Sequence, residues 1–93
     1  MRPSRNPELI NAMAVEIKAR RQELGYSQED LAGHCELDRP YISLMEVGRK
    51  QPTISVLLMV ARGLGLSLAE FTDRVERRYV KELRSKRTTK AAS

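Results

Sequence analysis

Three groups of side chains in this sequence have the types and spacing to do chemistry. His34 beside Cys35 invites a metal-binding or nucleophilic role, yet the chain holds one His and one Cys, too few to complete such a site. Glu29, Asp30, Glu36 and Asp38 are dense enough for a paired-carboxylate centre, but helix caps and a solvated face account for them without catalysis. The third group follows helical spacing: Arg39, Pro40, Ser43 and Leu44 recur three and four residues apart, opposite the apolar Ile42 and Met45. A guanidinium, a hydroxyl and two apolar edges on the outward side of a short helix suit contact with base edges in DNA, not bond breaking. No catalytic residue, metal or cofactor is assigned, and no small-molecule ligand is expected.

Such a helix has to be held by another. Between Ser27 and Pro52 the apolar residues are Leu31, Ala32, Cys35, Leu37, Ile42 and Met45, and those between them are mostly polar or charged. A helix starting after Ser27 turns Leu31 and Cys35 inward, and one starting after Asp38 turns Ile42 and Met45 inward, with Leu37 filling the corner. Ala32 marks a place where two crossing helices come close. The stretch therefore reads as helix, short turn and second helix, the second entering DNA.

The remaining chain supports this pair. Residues 1–6 read as a flexible basic arm. Asn6, Pro7 and Glu8 form a helix start, and the first helix should run from Pro7 to Leu24 with a stripe of Ile10, Met13 or Ala14, Ile17 and Leu24. Arg21 stands where that stripe calls for another apolar residue, and Gly25 ends the helix. Asp38 should cap the third helix (39–47), its carboxylate taking the N–H of Tyr41 because Pro40 has none to offer. Gly48 to Pro52 is a basic loop with Arg49 and Lys50. Thr53 caps a fourth helix that Gly65 ends, and Ser67 with Glu70 forms a capping box for a fifth. Leu68, Phe71, Val75, Tyr79 and Leu83 then extend a stripe to about Arg84. Either the first turns of helix one or a second copy must cover it, with dimer contact favoured for Val75, Tyr79 and Leu83. Residues 85–93 are expected to form a disordered basic tail, which leaves 7–84 as the domain.

Length and composition allow one small aliphatic core: there is no Trp, one Phe and three Tyr in 93 residues. The lone Cys cannot make an internal disulfide, and neither a signal peptide nor a long apolar run is present, so a cytoplasmic protein without membrane contact is expected. Net charge is +5. From Arg74 onward eight basic residues face only Glu76 and Glu82, so more than the whole excess lies there and the preceding part is slightly acidic. The basic balance is thus a property of the C-terminal extension.

The segment from Ile17 to Phe71 resembles the Xre or lambda-repressor-like helix-turn-helix family. The resemblance rests on Ser-Gln-x-x-Leu-Ala at Ser27 to Ala32, Leu-Asp-Arg-x-Tyr-Ile-Ser at Leu37 to Ser43, Glu-x-Gly-Arg at Glu46 to Arg49, and Pro52. The third-helix string is similar in style to small restriction-modification controller proteins. The family implies an all-α, five-helix DNA-binding domain, usually a homodimer on a two-fold symmetric operator. It places Gln28 at a phosphate, Arg39, Pro40, Ser43 and Leu44 at base edges, and Tyr41, Arg49 and Lys50 at the backbone. It also pairs Arg21 with Glu46, which explains an Arg on an apolar stripe. Three positions depart from the pattern: Pro40 replaces a Thr, Val47 replaces an Arg or Asn, and Glu36 occupies a turn position that prefers Gly or Asn.

The expected protein is a sequence-specific, homodimeric transcription regulator, not an enzyme, with double-stranded DNA as its partner. The alternative is a protein-interaction module such as the antitoxin of a toxin-antitoxin pair.

Overall fold

The computed structural model describes residues 5–92, with side chains through Lys86. Among these are five helices and no strand: α1 (Pro7–Glu23), α2 (Gln28–Cys35), α3 (Arg39–Glu46), α4 (Ile54–Gly63) and α5 (Leu68–Ala92). This is the all-α, five-helix architecture expected. Residues 1–4 of the expected arm lie outside the described residues. No single described helix is long and apolar enough to cross a membrane.

Local chemistry sets most boundaries. Asn6 Oδ1 accepts from Leu9 N at 3.1 Å, and Thr53 Oγ1 accepts from Val56 N at 3.3 Å. Ser27 and Asp30 cap each other reciprocally at 3.0 and 2.9 Å, as do Ser67 and Glu70 at 3.0 and 2.8 Å. Each such cap is worth about 1 kcal/mol. Asp38 differs from expectation, because its side chain makes no cap bond and its backbone carbonyl takes the Tyr41 N–H at 3.0 Å. With Pro40 constraining the first turn, the chain closes on itself three residues along and uses the amide the carboxylate was expected to take.

The first four helices end alike. In each, an amide two or three residues past the helix reaches back five positions: Tyr26 to Arg21, Leu37 to Ala32, Arg49 to Leu44 and Leu66 to Ala61, all at 2.9 to 3.0 Å. This motif needs a left-handed residue, supplied by glycine at three ends and by Glu36 at the fourth, where φ is 57°. The Glu side chain there costs about 1 kcal/mol of backbone strain.

The core draws on every helix: Ile10, Met13 and Ile17 of α1, Leu31, Ala32 and Cys35 of α2, Ile42 and Met45 of α3, Val60, Ala61 and Leu64 of α4, and Phe71 and Val75 of α5. Fully burying side chains such as Phe71, Leu31 and Ile42 contributes about 1.5 to 3 kcal/mol each. Leu37 packs against this cluster at the corner between α2 and α3.

The stripe along α5 is mainly covered from within. Val75 belongs to the core, Tyr79 packs on it and its hydroxyl accepts from Asn6 Nδ2 at 3.2 Å, while Leu83 stays exposed at 36 %. The added first turns of α1 thus cover part of this stripe, while Val75 and Tyr79 also line a cleft with Leu9, Met13 and Phe71. Further along, Asn11 Nδ2 donates to Glu82, and Lys86 pairs with Glu8 at 3.2 Å. The α5 backbone stays helical to Ala92, beyond the end expected near Arg84 and through the segment expected to be disordered. Residues 84–92 contain no Gly or Pro, and extending an existing helix is far easier than starting one.

Candidate nucleic-acid interface

Helices α2 and α3 meet through their buried faces, with Ile42 and Met45 wholly inaccessible. Helical geometry then turns Arg39, Pro40 and Leu44 outward and leaves them exposed, with Ser43 half-buried beside them. Four residue types that can address base edges thus share one side of a rigid two-helix unit. Tyr41 sits half-buried against the core cluster, and Lys50 Nζ lies 5.4 Å from its ring centre, a cation–π contact. Arg49 and Lys50 are both exposed on the loop after α3. Arg5 reaches the same loop, its Nη2 lying 3.5 Å from the Gly48 carbonyl.

Behind this surface is a polar cluster. Arg21 and Glu46 form a two-pronged ion pair, Nε to Oε2 at 2.7 Å and Nη2 to Oε1 at 3.0 Å, while Arg21 Nη1 donates to the Tyr26 carbonyl at 2.8 Å. The Glu46 side chain is only 2 % exposed, and its hydrogen bonds push the Arg21 guanidinium above its ordinary value. The pair pins the end of α3 to α1 and so sets the angle at which α3 is presented. Gln28, expected at a phosphate, opens α2 and is engaged on both sides: Nε2 donates to Glu46 Oε1 at 3.2 Å, and Oε1 accepts from Arg39 Nη1 at 3.4 Å.

Two structural contributors escape sequence reasoning. Glu16, nearly buried, binds Arg74 at 3.3 Å and Arg78 at 2.6 Å, clamping α1 to α5. The four-residue spacing of those arginines was a usable signal, but nothing local pointed to their acid. Gly63 is the other: a Cβ there would lie 3.2 Å from Cys35 N and closer still to Cys35 Sγ, so only glycine lets α4 approach α2 this closely. His34 stacks on Tyr26 with ring centres 4.6 Å apart, and burial pushes the Cys35 thiol up to about 11. Among the described residues no three His, Cys, Asp or Glu side chains gather as a metal site.

A short helix with an exposed outer side, held across a supporting helix and flanked by basic side chains, is the arrangement of a helix-turn-helix protein. Residues 17–71 match the sequence pattern of the Helix-turn-helix family, and the chain belongs to that family of transcriptional regulators. It is similar to the control protein C.MunI of a Mycoplasma species, 33 % identical over 60 residues that make up 64 % of this chain and 81 % of that protein. It also resembles the HTH-type transcriptional regulator DdrOP3 of Deinococcus deserti, 32 % identical over 64 % of this chain and 46 % of that longer protein. Among solved structures, the restriction-modification controller protein C.Esp1396I, a tetramer in complex with its natural 35 base-pair operator, superimposes with a TM-score of 0.73. It is 35 % identical, and the match covers 77 % of this chain and 95 % of that one.

Proposed function

We propose that this protein is a sequence-specific DNA-binding regulator that acts as a homodimer on a two-fold symmetric operator, with α3 in the major groove. The observation that carries the proposal is the exposed side of α3, where Arg39, Pro40, Ser43 and Leu44 stand together while Ile42 and Met45 are wholly buried. Arg39 pairs with O6 and N7 of a guanine, and the Pro40 ring and Leu44 meet a thymine methyl. Tyr41, Arg49, Lys50 and the free N–H of Gln28 take the flanking phosphates, aided by the positive end of α2. Two-fold symmetry sets half-sites about one helical turn apart.

Selection of bound duplexes from a random pool, at fixed salt, tests this directly. Palindromic sites are the expected result, and recovery without any sequence preference would overturn it. On the selected site, Arg39→Ala should lose discrimination at one base pair per half-site. Lys50→Ala should weaken all sequences alike and flatten the salt dependence. Sedimentation of the chain alone should show a dimer. A monomer at concentrations where the site is filled cooperatively would remove the homodimer from the proposal.

A further inference from the structure

We infer that the C-terminal extension of α5 is a second contact surface for DNA, a basic helix that meets the phosphate backbone beside the loop after α3. The inference rests on the DNA-binding reading above and names a part of the chain outside the helix-turn-helix unit that supplies affinity without sequence preference.

The charge of this extension has no use inside the domain. Residues 1–73 hold nine basic and ten acidic side chains and residues 74–93 hold eight and two, so the first part carries −1 and the second +6. Where α5 packs on the domain its cations are matched: Arg74 and Arg78 bind Glu16, Arg77 binds Asp73, and Lys86 binds Glu8. Lys81 and Arg84 have no ion pair among the described residues. After Glu82 the sequence holds Arg84, Lys86, Arg87 and Lys90 with no acid. Residues 84–86 are exposed and add nothing to the core. On one continuous helix, Arg84 with Arg87, Arg87 with Lys90 and Lys86 with Lys90 stand three or four positions apart, where like charges oppose helix formation. The helix dipole favours cations within the last turn, which accounts for Lys90 alone. A run that weakens its own helix and serves no packing calls for an anionic partner. Beyond Leu83 the apolar residues are Ala91 and Ala92, too little for a face that enters lipid, so a polyanion in water is the fitting one.

Placement selects DNA. Helices α1 and α5 run antiparallel, because Glu16 meets Arg74 and Arg78, Asn11 meets Glu82, and Glu8 meets Lys86. Lys86 is therefore level with the start of α1, and the six helical residues after it project past that start by about 9 Å. The same end of α1 touches the loop that carries Arg49 and Lys50: Arg5 Nη2 lies 3.5 Å from the Gly48 carbonyl, and Asn6 and Tyr79 share a cleft with Gln51 and Pro52. The projecting end of α5 thus leaves the domain beside the cations that flank α3. Its length matches the axial span of two or three phosphates on one strand.

The test replaces Arg84, Arg87 and Lys90 by Gln together in the full chain. Gln favours helix about as well as Arg and Lys, and the Lys86–Glu8 pair stays. Binding to a duplex recovered by selection from a random pool, and to an unrelated duplex, is measured across a range of salt concentrations. The slope of log affinity against log salt should become shallower by about 0.9 for each charge that meets a phosphate, up to about 2.7 per chain. At about 0.15 M salt each lost contact lowers affinity about five-fold for both duplexes, so the preference between them stays as in the parent. Arg84→Lys with Arg87→Lys keeps the charges and should leave the parent slope in place. Equal slopes for the parent and the Gln variant would overturn the inference while leaving the role of α3 intact. An unchanged slope with a weaker dimer in sedimentation would make the extension a contact between copies and overturn it as well. A parent chain that binds no duplex would remove the DNA-binding reading itself, and the inference with it.

Discussion

The same substitution, Gly to Ala inside a helix, should have opposite effects at two places in this protein. At Gly33 in α2 an added Cβ meets nothing within 4 Å, so only helix propensity acts, and Ala should be better by up to about 1 kcal/mol. At Gly63 in α4 the same propensity gain is opposed by contact with Cys35 Sγ, and by backbone N and Cα of Cys35 at 3.2 and 3.3 Å. Backbone atoms within a helix cannot step aside singly, so α2 as a whole must shift, and overpacking of this kind costs about 1 to 3 kcal/mol. With backbone involved the upper part of that range applies, leaving Gly63→Ala less stable by about 2 kcal/mol. For a domain of this size each kcal/mol moves the melting midpoint by about 4 to 8 °C. Gly33→Ala should therefore melt several degrees above the parent, and Gly63→Ala roughly 8 to 16 °C below it. Cys35→Ala added to Gly63→Ala should recover only part of the loss, because the backbone approach persists. Thermal unfolding followed by circular dichroism measures all four chains. A Gly63→Ala protein as stable as the parent would show that α2 and α4 separate freely, and the close-approach reasoning would be wrong.

Ser67→Ala removes a reciprocal cap and should cost about 1 kcal/mol in urea unfolding, whereas Asp38→Ala should cost only a few tenths, because no side-chain cap bond is lost. Backbone hydrogen bonds from Ser67 and Ser27 hold the Glu70 and Asp30 carboxyls below their ordinary values. Their contribution to stability is therefore complete above the unfolded values of 4.5 and 3.8 and is lost as pH falls toward the lowered folded ones. Glu70→Gln should make the acid limb of a stability-versus-pH curve shallower, and an unchanged limb would contradict this. The Cys35 thiol, buried and pushed up to about 11, should resist alkylation at neutral pH in the folded protein and react readily in urea. Replacing both Arg74 and Arg78 by Met should cost about 3 to 5 kcal/mol, more than Glu16→Ala, since it strands a buried carboxylate while Glu16→Ala leaves two half-exposed guanidiniums that water can serve.

Helix starts, helix ends and apolar faces were legible because they depend on residues within four or five positions of one another. Asn6, Ser27, Thr53 and Ser67 cap as expected, and Gly25, Gly48 and Gly65 each end a helix with positive φ. The outward side of α3 follows from the same periodicity. Arg21 was visible as an anomaly on an apolar stripe, although its link to Glu46 came from family resemblance. Asp38 misled because two local acceptors, side chain and backbone, competed for one amide. The end of α5 misled because a polar, basic composition does not forbid a helix once one is running.

What only tertiary structure decided involves partners far apart in the chain. Glu16 meets Arg78 across 62 positions, and Asn6 meets Tyr79 across 73. Those meetings depend on the rotation and register of α1 against α5, which no local pattern encodes. The same rotation buried Val75 in the core and packed Tyr79 against it. The link from Glu46 through Gln28 to Arg39 likewise needs three helices in place, because each residue alone suits a solvated surface or a simple phosphate contact. Sequence alone determined which side of α3 faces outward, since that is a matter of helical period; the packing of α1, α2 and α3 decided what stands behind it, because donors and acceptors must match at distances set by whole helices.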